Sequence, residues 1–308
     1  MEQVTKRKSQ VEPRQILVPE DLQRVIDDLG TEPTECMLCG GAQFTALFER
    51  TGKKFWECQG CELVFVHDIY PEFIDDTDHL DDTYHFDRLA VMKPARAKRY
   101  ATLLDSIEKE RKLGTVLEVG CGQGLFLEQC RKAGWEVNGL DVLPPVAEIA
   151  RSQRGLEVFT GELHEAKYPD ASFDVCFMSE VIEHIVDPVN LMTEIRRVLR
   201  PGGIAILVTG NAQSWSAKWR GGKWAYYRFG GHLHIRFFSP RAAEALAEAS
   251  GFESVTSETR GFAFQEAAEV RGKWYRPFAQ VTQGIVSQFA GVRGAGHRLR
   301  MRFRRAEE

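Results

Sequence analysis

The sequence predicts an α/β fold, a seven-stranded sheet covered by helices on both faces, with a small zinc ribbon ahead of it. Three observations lead to this prediction. From residue 115 onward, apolar runs of strand length alternate with segments of helical periodicity, a pattern typical of parallel sheets. A glycine-rich turn follows the first apolar run, and two Cys-x-x-Cys pairs precede the whole region.

The strands and helices follow from apolar periodicity and from the residues that end each segment. Seven strands are predicted at 115–119, 136–141, 156–160, 173–178, 204–208, 252–259 and 297–305. Helices are predicted at 19–30, 86–112, 125–134, 144–155, 187–199 and 240–251. We expect the RPGG segment at 200–203 to end the helix before it, because glycine stops helices.

The two Cys-x-x-Cys pairs predict a structural zinc site. Eighteen residues separate them, and together they offer four thiolates to one tetrahedral ion. Apolar runs at 44–49 and 62–66 read as ribbon strands beside the pairs. Disulfides or a redox pair are the alternatives, but a reducing compartment disfavours the first and two copies disfavour the second. The predicted ligands are Cys36, Cys39, Cys58 and Cys61.

The composition limits the classes of function that this protein can have. The 308 residues carry a formal net charge of -4 and 43% hydrophobic residues, which argues against a polyanion as the main partner. No run of eighteen apolar residues is present, and the polar N-terminus lacks the apolar centre of a signal peptide. We therefore expect a cytoplasmic protein without a transmembrane segment, as a monomer or homodimer.

The glycine turn after the first strand predicts a ligand site. Gly120, Gly122 and Gly124 form G-x-G-x-G, one residue shorter than the dinucleotide fingerprint G-x-G-x-x-G. Such a loop brings backbone close to a ligand, and the following helix N-terminus attracts an anion, here a carboxylate. Asp141 closes the next strand, where an acid can accept hydrogen bonds from ribose hydroxyls. Glu162 follows the third strand and is placed to reach an adenine edge.

From about residue 97 to the C-terminus the sequence resembles the class I S-adenosylmethionine-dependent methyltransferases. The resemblance rests on LEVGCGQG, LDVLP, SFDVCFMSEVIEH and LRPGGIAILVTGN in that order. It implies a Rossmann-like sheet with an antiparallel last strand, and S-adenosylmethionine as cofactor. The cofactor-binding residues that it implies are Glu118, Gly120, Cys121, Gly122, Gly124, Asp141, Val142, Glu162 and Ser179.

The ribbon adds a second resemblance, to zinc-ribbon methyltransferases that act on sugars and other small metabolites. Some ribosomal-RNA methyltransferases also carry a zinc ribbon, so an RNA substrate is the alternative. Between residues 35 and 66, Arg50, Lys53 and Lys54 are outnumbered by four glutamates, which favours a small-molecule acceptor over nucleic acid.

Histidine is the preferred general base near neutral pH, and the candidates are His184, His232 and His234. The segment EVIEH also resembles the Glu-x-x-Glu-His segment with which ubiquinone-pathway O-methyltransferases and small-RNA 2′-O-methyltransferases hold a divalent metal. That resemblance implies Glu180, Glu183, His184 and His232 as possible ligands. A purely structural role for these residues is the third alternative.

Aromatic residues mark the candidate acceptor pocket. Trp215, Tyr226 and Tyr227 follow the fifth strand, and Tyr84 can close the other side, although a packing layer over the sheet explains them equally well. We expect O- or C-methylation of a secondary metabolite, sugar or lipid-like acceptor. The expected organisation is a tail with a short helix at 1–34, the ribbon at 35–66, an acidic connector or lid at 67–96 and the methyltransferase domain at 97–308, with cap and insertion segments at 211–238 and 261–295.

Overall fold

A computed structural model describes residues 32–50, 52–67, 92–227, 234–260 and 294–308. The predicted helix at 19–30, Tyr84, His232 and nearly all of the insertion at 261–295 lie outside the described residues. No helix in the described ranges is long and apolar enough to cross a membrane.

The described chain contains eleven strands. They are β1 (Phe44–Arg50), β2 (Lys53–Cys58), β3 (Val64–Val66), β4 (Thr115–Val119), β5 (Glu136–Asp141), β6 (Val158–Thr160), β7 (Phe173–Ser179), β8 (Leu199–Gly210), β9 (Arg236–Phe237), β10 (Ser254–Arg260) and β11 (Arg298–Arg304). The described helices are α1 (Pro94–Glu108), α2 (Leu125–Lys132), α3 (Pro144–Arg154), α4 (Pro188–Val198), α5 (Trp215–Arg220) and α6 (Pro240–Ala249).

The main sheet has seven strands in the order β10-β11-β8-β7-β4-β5-β6. The pairs from β8 through β6 are parallel, and β11 runs antiparallel to both of its neighbours. The predicted seven-stranded sheet with an antiparallel last strand is therefore confirmed. Because β4 and β7 are parallel neighbours, the turns that follow them meet at the same edge, where ligands bind in open α/β sheets.

Helices cover both faces of this sheet. On one face, Phe126, Leu127 and Ala147 of α2 and α3 pack with sheet residues. On the other, Met192 of α4 and Leu246 of α6 are fully buried. Each such large apolar side chain contributes about 1.5–3 kcal/mol on burial. The two apolar layers fix the sheet edge that carries the site.

One boundary prediction was wrong. Residues 200–203 do not form a turn that ends the helix; α4 ends at Val198 and β8 begins at once with Leu199. The C-terminal residues explain this, because Gly202 N–H donates to the Ala306 carbonyl and Arg305 N–H donates to the Gly203 carbonyl. This long-range pairing makes Gly202 and Gly203 part of a strand. The register of the β7–β8 pair shifts between Phe173 and Val175.

The second sheet joins the ribbon to the rest of the chain. Its order is β1-β2-β3-β9, so three ribbon strands pair with a two-residue strand from the segment after the fifth strand of the main sheet. Buried aromatic rings fill the seam: Phe55 of β2 lies 5.7 Å from Phe237 and 5.3 Å from Tyr227 between ring centroids. The ribbon is thus packed into the fold and shares a core with the cap segment.

Candidate active site

The glycine loop between β4 and α2 adopts a backbone that other residues rarely reach. Gly120, Gly122 and Gly124 have φ of 68°, 54° and 74°. A Cβ on Gly120 would lie 2.4 Å from Val181 Cγ2, and one on Gly124 would lie 2.3 Å from Leu156 Cδ1. At Gly122 no atom of the described residues lies within 4 Å of that position. Packing therefore requires the outer two glycines, whereas the middle one borders open space.

Asp141 stabilises this loop from the end of β5. Its Oδ2 accepts a hydrogen bond from Gly122 N–H at 2.8 Å, and its Oδ1 accepts one from Leu143 N–H at 3.0 Å. Burial raises the pKa of the Asp141 carboxyl. Each carboxylate oxygen has a second lone pair, so Asp141 can also accept hydrogen bonds from ligand hydroxyls.

Glu118 lies beside Asp141 as a buried acid. Burial, with a smaller contribution from the Asp141 charge, raises the pKa of Glu118 well above its usual value. Its Oε2 is buried and has no hydrogen-bond partner among the described residues. Buried polar atoms normally have partners, so this oxygen is a natural contact for a polar ligand group.

The remaining predicted cofactor residues surround the loop. Cys121 is buried, whereas Val142, next to Asp141, is 57% exposed and offers an apolar surface. Ser179 ends β7. The Glu162 side chain lies at the surface, where its carboxylate is 3.3 Å from His164 Nδ1.

A second cluster of polar groups follows β7. Glu183 is fully buried, and its carboxyl accepts hydrogen bonds from the Tyr226 hydroxyl at 2.9 Å and the Thr209 hydroxyl at 3.0 Å. Tyr226 also bonds to Glu180, which forms an ion pair with Arg298 at 2.9 Å. Burial, reinforced by the Glu180 charge, raises the pKa of Glu183 to about 8.

Two histidines complete this cluster. The ring centroids of His184 and His234 are 4.7 Å apart. His234 Nδ1 lies 2.8 Å from the Tyr226 carbonyl oxygen. Since a carbonyl only accepts, Nδ1 of the neutral ring carries the proton, and Nε2 is the atom that can accept a proton or bind a cation.

Glu183, His184 and His234 form a group that we call the acceptor-side triad, after the role proposed for it below. Their potential ligand atoms all lie within 4.8 Å of one another. The sequence predicts a different group: Glu180, Glu183, His184 and His232. In the structure His234 lies beside Glu183 and His184. His232 lies outside the described residues. The triad adjoins the glycine loop, because Val181 of the same turn contacts Gly120.

The predicted aromatic residues separate into different environments. Tyr226 belongs to the polar cluster, with Trp224 stacked on it at 5.1 Å between ring centroids. Tyr227 is not part of that group: its ring is buried 4.9 Å from Phe48 of the ribbon. Trp215, on α5, is 37% exposed.

Sequence reasoning missed two members of the polar cluster. Thr209 and Arg298 come from β8 and β11, whose sequences show only strand periodicity. Their positions opposite Glu183 and Glu180 depend on sheet pairing, and no local motif marks them.

The four ribbon cysteines converge as predicted. The Sγ atoms of Cys36 and Cys61 are 3.6 Å apart, and those of Cys39 and Cys58 are 3.5 Å apart. These separations far exceed a disulfide bond and are close to the roughly 3.8 Å between thiolates that share a tetrahedral zinc ion with 2.3 Å bonds. The cluster is therefore compatible with a zinc ribbon.

A family model described as a methyltransferase domain matches residues 92–257. The chain belongs to this methyltransferase family. Its fold is also that of phosphoethanolamine N-methyltransferase 2 from Haemonchus contortus, solved with S-adenosyl-L-methionine, at 16% identity and a TM-score of 0.51, covering 80% of this chain and 62% of that one. The family model shows a methyltransferase, and the structural match shows the fold.

Curated relatives share the methyltransferase region. The ubiquinone biosynthesis O-methyltransferase of Cereibacter sphaeroides is 31% identical over 196 residues, which are 58% of this chain and 78% of the relative. The malonyl-[acyl-carrier protein] O-methyltransferase of Serratia marcescens is 29% identical over 149 residues, covering 47% of this chain and 56% of that protein. The chain thus spans little more than half of the second relative.

Proposed function

We propose that this methyltransferase transfers the methyl group of S-adenosylmethionine to a hydroxyl oxygen of a small molecule. The single observation that carries the proposal is the acceptor-side triad of Glu183, His184 and His234, whose ligand atoms lie within 4.8 Å of one another beside the glycine loop. The relatives support oxygen as the acceptor atom, since both are named O-methyltransferases.

The cofactor fits the residues around the glycine loop. No described atom blocks a ligand from the backbone at Gly122, and Asp141 can accept the ribose hydroxyls. Glu118 Oε2, which has no partner among the described residues, offers a contact to a polar group. Val142 offers an apolar face to the adenine. Bound S-adenosylmethionine supplies an electrophilic methyl group on a sulfonium sulfur.

On the acceptor side, we assign proton removal to His234. Its Nδ1 is held by the Tyr226 carbonyl at 2.8 Å, so Nε2 is the basic atom. Glu183 accepts buried hydrogen bonds from the Tyr226 and Thr209 hydroxyls, and these bonds hold Tyr226 and the turn that carries His184. Fixed groups align the acceptor without reorganisation, which is the main contribution of a protein to methyl transfer.

The alternative to a His234 base is a divalent cation held by the same triad, with His234 Nε2 as a ligand. One carboxylate and two imidazoles form a donor set that suits first-row metals, and the ligand atoms are close enough to converge on one ion after small side-chain adjustments. A bound cation would lower the pKa of an acceptor hydroxyl. The Tyr226 carbonyl then orients His234 in the way that outer-shell groups orient metal-bound histidines.

In the ribbon we propose a structural zinc ion held by Cys36, Cys39, Cys58 and Cys61. The ribbon supports a small acceptor over RNA, because Lys54 is the only exposed residue among its three basic residues, Arg50, Lys53 and Lys54. Arg50 donates to the Gly222 carbonyl at 2.7 Å, and Lys53 is buried. One exposed lysine does not form the basic patch that phosphate binding needs.

A methyl-transfer screen tests the proposal. Full-length protein is incubated with methyl-labelled S-adenosylmethionine and a panel of catechols, other phenols and sugars, with and without added Mn²⁺. The proposal expects labelled methyl ethers, with turnover reduced at least about a hundredfold by His234→Ala. Arg241→Ala, an exposed change on α6, is the matched control. Methylation of amines or RNA alone would contradict it.

A further inference from the structure

Ile235 connects the zinc ribbon to the acceptor-side triad through its backbone. Its carbonyl accepts a hydrogen bond from Val66 N–H of β3 at 3.0 Å, and its own N–H donates to the Glu183 carbonyl at 2.8 Å. A single residue therefore bonds to the ribbon on one side and to the triad on the other. Its neighbour in the chain is His234.

Arg236 reinforces this connection. The side chain is 2% exposed, and its guanidinium donates to the carbonyls of Val66 at 2.9 Å, Ile235 at 3.1 Å and Val186 at 3.1 Å. Val66 is in the ribbon, Ile235 directly follows His234 in the chain, and Val186 is in the turn just after His184. The planar fork of arginine is suited to holding several acceptors in one fixed geometry.

Burying the Arg236 guanidinium costs free energy, and apolar packing alone does not offset that cost. In the described part of the chain, the hydrogen bonds of Arg236 go only to backbone carbonyls, and its Nε is buried without a partner. A buried charge without a hydrogen-bonded anion is expensive, and an apolar side chain would fill the same seam. The nearby Asp187 charge offsets part of this cost, and the three backbone hydrogen bonds join separate segments.

We propose that Arg236 is a positioning residue that, with the β3–β9 pairing, fixes His234 and the turn carrying Glu183 and His184. The ribbon is then a structural part of the acceptor site and not a separate recognition module. This inference rests on the proposed function for one point only, that His234 faces the acceptor. The hydrogen bonds of Ile235 and Arg236 are the same whichever acceptor is used.

Histidine NMR tests the inference. Full-length protein carrying ¹⁵N-labelled histidine is compared as wild type, Arg236→Gln, Arg236→Lys and Arg241→Gln, the exposed control. We expect separated nitrogen resonances for His234 in the wild type, as a fixed Nδ1–H tautomer requires. Arg236→Gln should average these resonances, Arg236→Lys should partly restore them, and the control should leave them unchanged. Unaltered His234 resonances in Arg236→Gln would overturn the inference.

Two further readouts separate positioning from general damage. Zinc content and S-adenosylmethionine affinity should stay within about twofold of wild type in Arg236→Gln, because the glycine loop does not contact Arg236. Absence of cofactor binding by the wild type would refute the proposed function alone, since the His234 resonances do not depend on it.

If Arg236→Gln fails to fold, hydrogen exchange on the wild-type protein tests the inference instead. Removing zinc with a chelator should accelerate exchange at the Ile235 amide, which bonds to Glu183, together with the Val66 amide. The Gly122 amide, held by Asp141, should keep its protection. Unchanged exchange at Ile235 after zinc removal would overturn the inference.

Discussion

Gly120 of the glycine loop lies directly against Val181 of the turn after β7, so that a Cβ atom at position 120 would come within 2.4 Å of Val181 Cγ2. The glycine loop and the turn after β7 are therefore packed against each other at this point. A side chain at position 120 would meet Val181.

Gly120→Ala is expected to destabilise the protein. The new methyl group meets Val181, and alanine is strained at a φ of 68°, so we expect a loss of about 2–4 kcal/mol in the free energy of unfolding. Denaturant unfolding measures it. Val181→Ala should partly rescue Gly120→Ala, and an absence of any rescue would contradict the contact.

Gly122→Ala is expected to act on binding more than on stability. In the part of the chain that the structure describes, no atom lies within 4 Å of the added Cβ, but the methyl group enters the space assigned to the cofactor. We expect a fall in S-adenosylmethionine affinity of at least about tenfold, with a backbone strain cost of about 1 kcal/mol. Calorimetric titration measures the affinity, and equal affinities in variant and wild type would place the cofactor elsewhere.

Asp141→Asn tests the ribose assignment. The asparagine NH₂ cannot accept a hydrogen bond, so either the Gly122 or the Leu143 N–H loses its acceptor. We expect a destabilisation of about 1–3 kcal/mol and a loss of cofactor affinity of at least about tenfold. Glu162→Gln, at the exposed end of the site, is a milder comparison. Full cofactor affinity in Asp141→Asn would refute the assignment.

Cys58→Ala is expected to release zinc and loosen the ribbon. Three thiolates hold a structural zinc ion poorly, and zinc binding is coupled to folding. Elemental analysis should fall from about one zinc ion per chain to well below half. Cys176→Ala, a buried cysteine in β7 outside the cluster, is the control and should retain its zinc. Equal zinc contents in the two variants would contradict the ligand set.

His297 gives the protein a predicted sensitivity to acid. Burial, with help from the Arg298 charge, lowers the pKa of His297 to about 4. Between the unfolded value near 6.5 and pH 4, the unfolded chain binds the proton and the folded chain does not. Stability is therefore fully present above pH 6.5 and falls on acidification, with a slope of up to about 1.4 kcal/mol per pH unit.

The variant His297→Phe keeps an aromatic ring against Trp224 and removes the titration. Denaturant unfolding at pH 7 and pH 5 should show a smaller acid loss in His297→Phe than in wild type. The exposed His164→Gln is the control and should show the wild-type difference. An identical acid loss in all three proteins would contradict the prediction.

Much of this fold could be predicted from sequence because its signals are local. Strand periodicity, the glycine turn and the cysteine spacing each identify an element within a few residues. The error at 200–203 arose because that prediction used the local signal alone. Glycines often stop helices, but the pairing of Gly202 and Gly203 with Ala306 and Arg305 makes them part of a strand.

The candidate site could be predicted only where a motif marks it. The EVIEH segment and His234 stand out in the sequence, whereas Thr209, Arg298 and Arg236 enter the site through strand pairing. The pairing of β3 with β9 joins residues about 170 positions apart in hydrogen bonds such as that from Arg236 to the Val66 carbonyl. No periodicity in either segment indicates its partner.

Calorimetric titration of the purified full-length protein with S-adenosylmethionine tests the central claim most directly. We expect saturable binding of one cofactor per chain with a dissociation constant on the order of micromolar, and a parallel loss in Gly122→Ala and Asp141→Asn. No heat of binding in a folded, zinc-loaded wild type would contradict the account at its foundation.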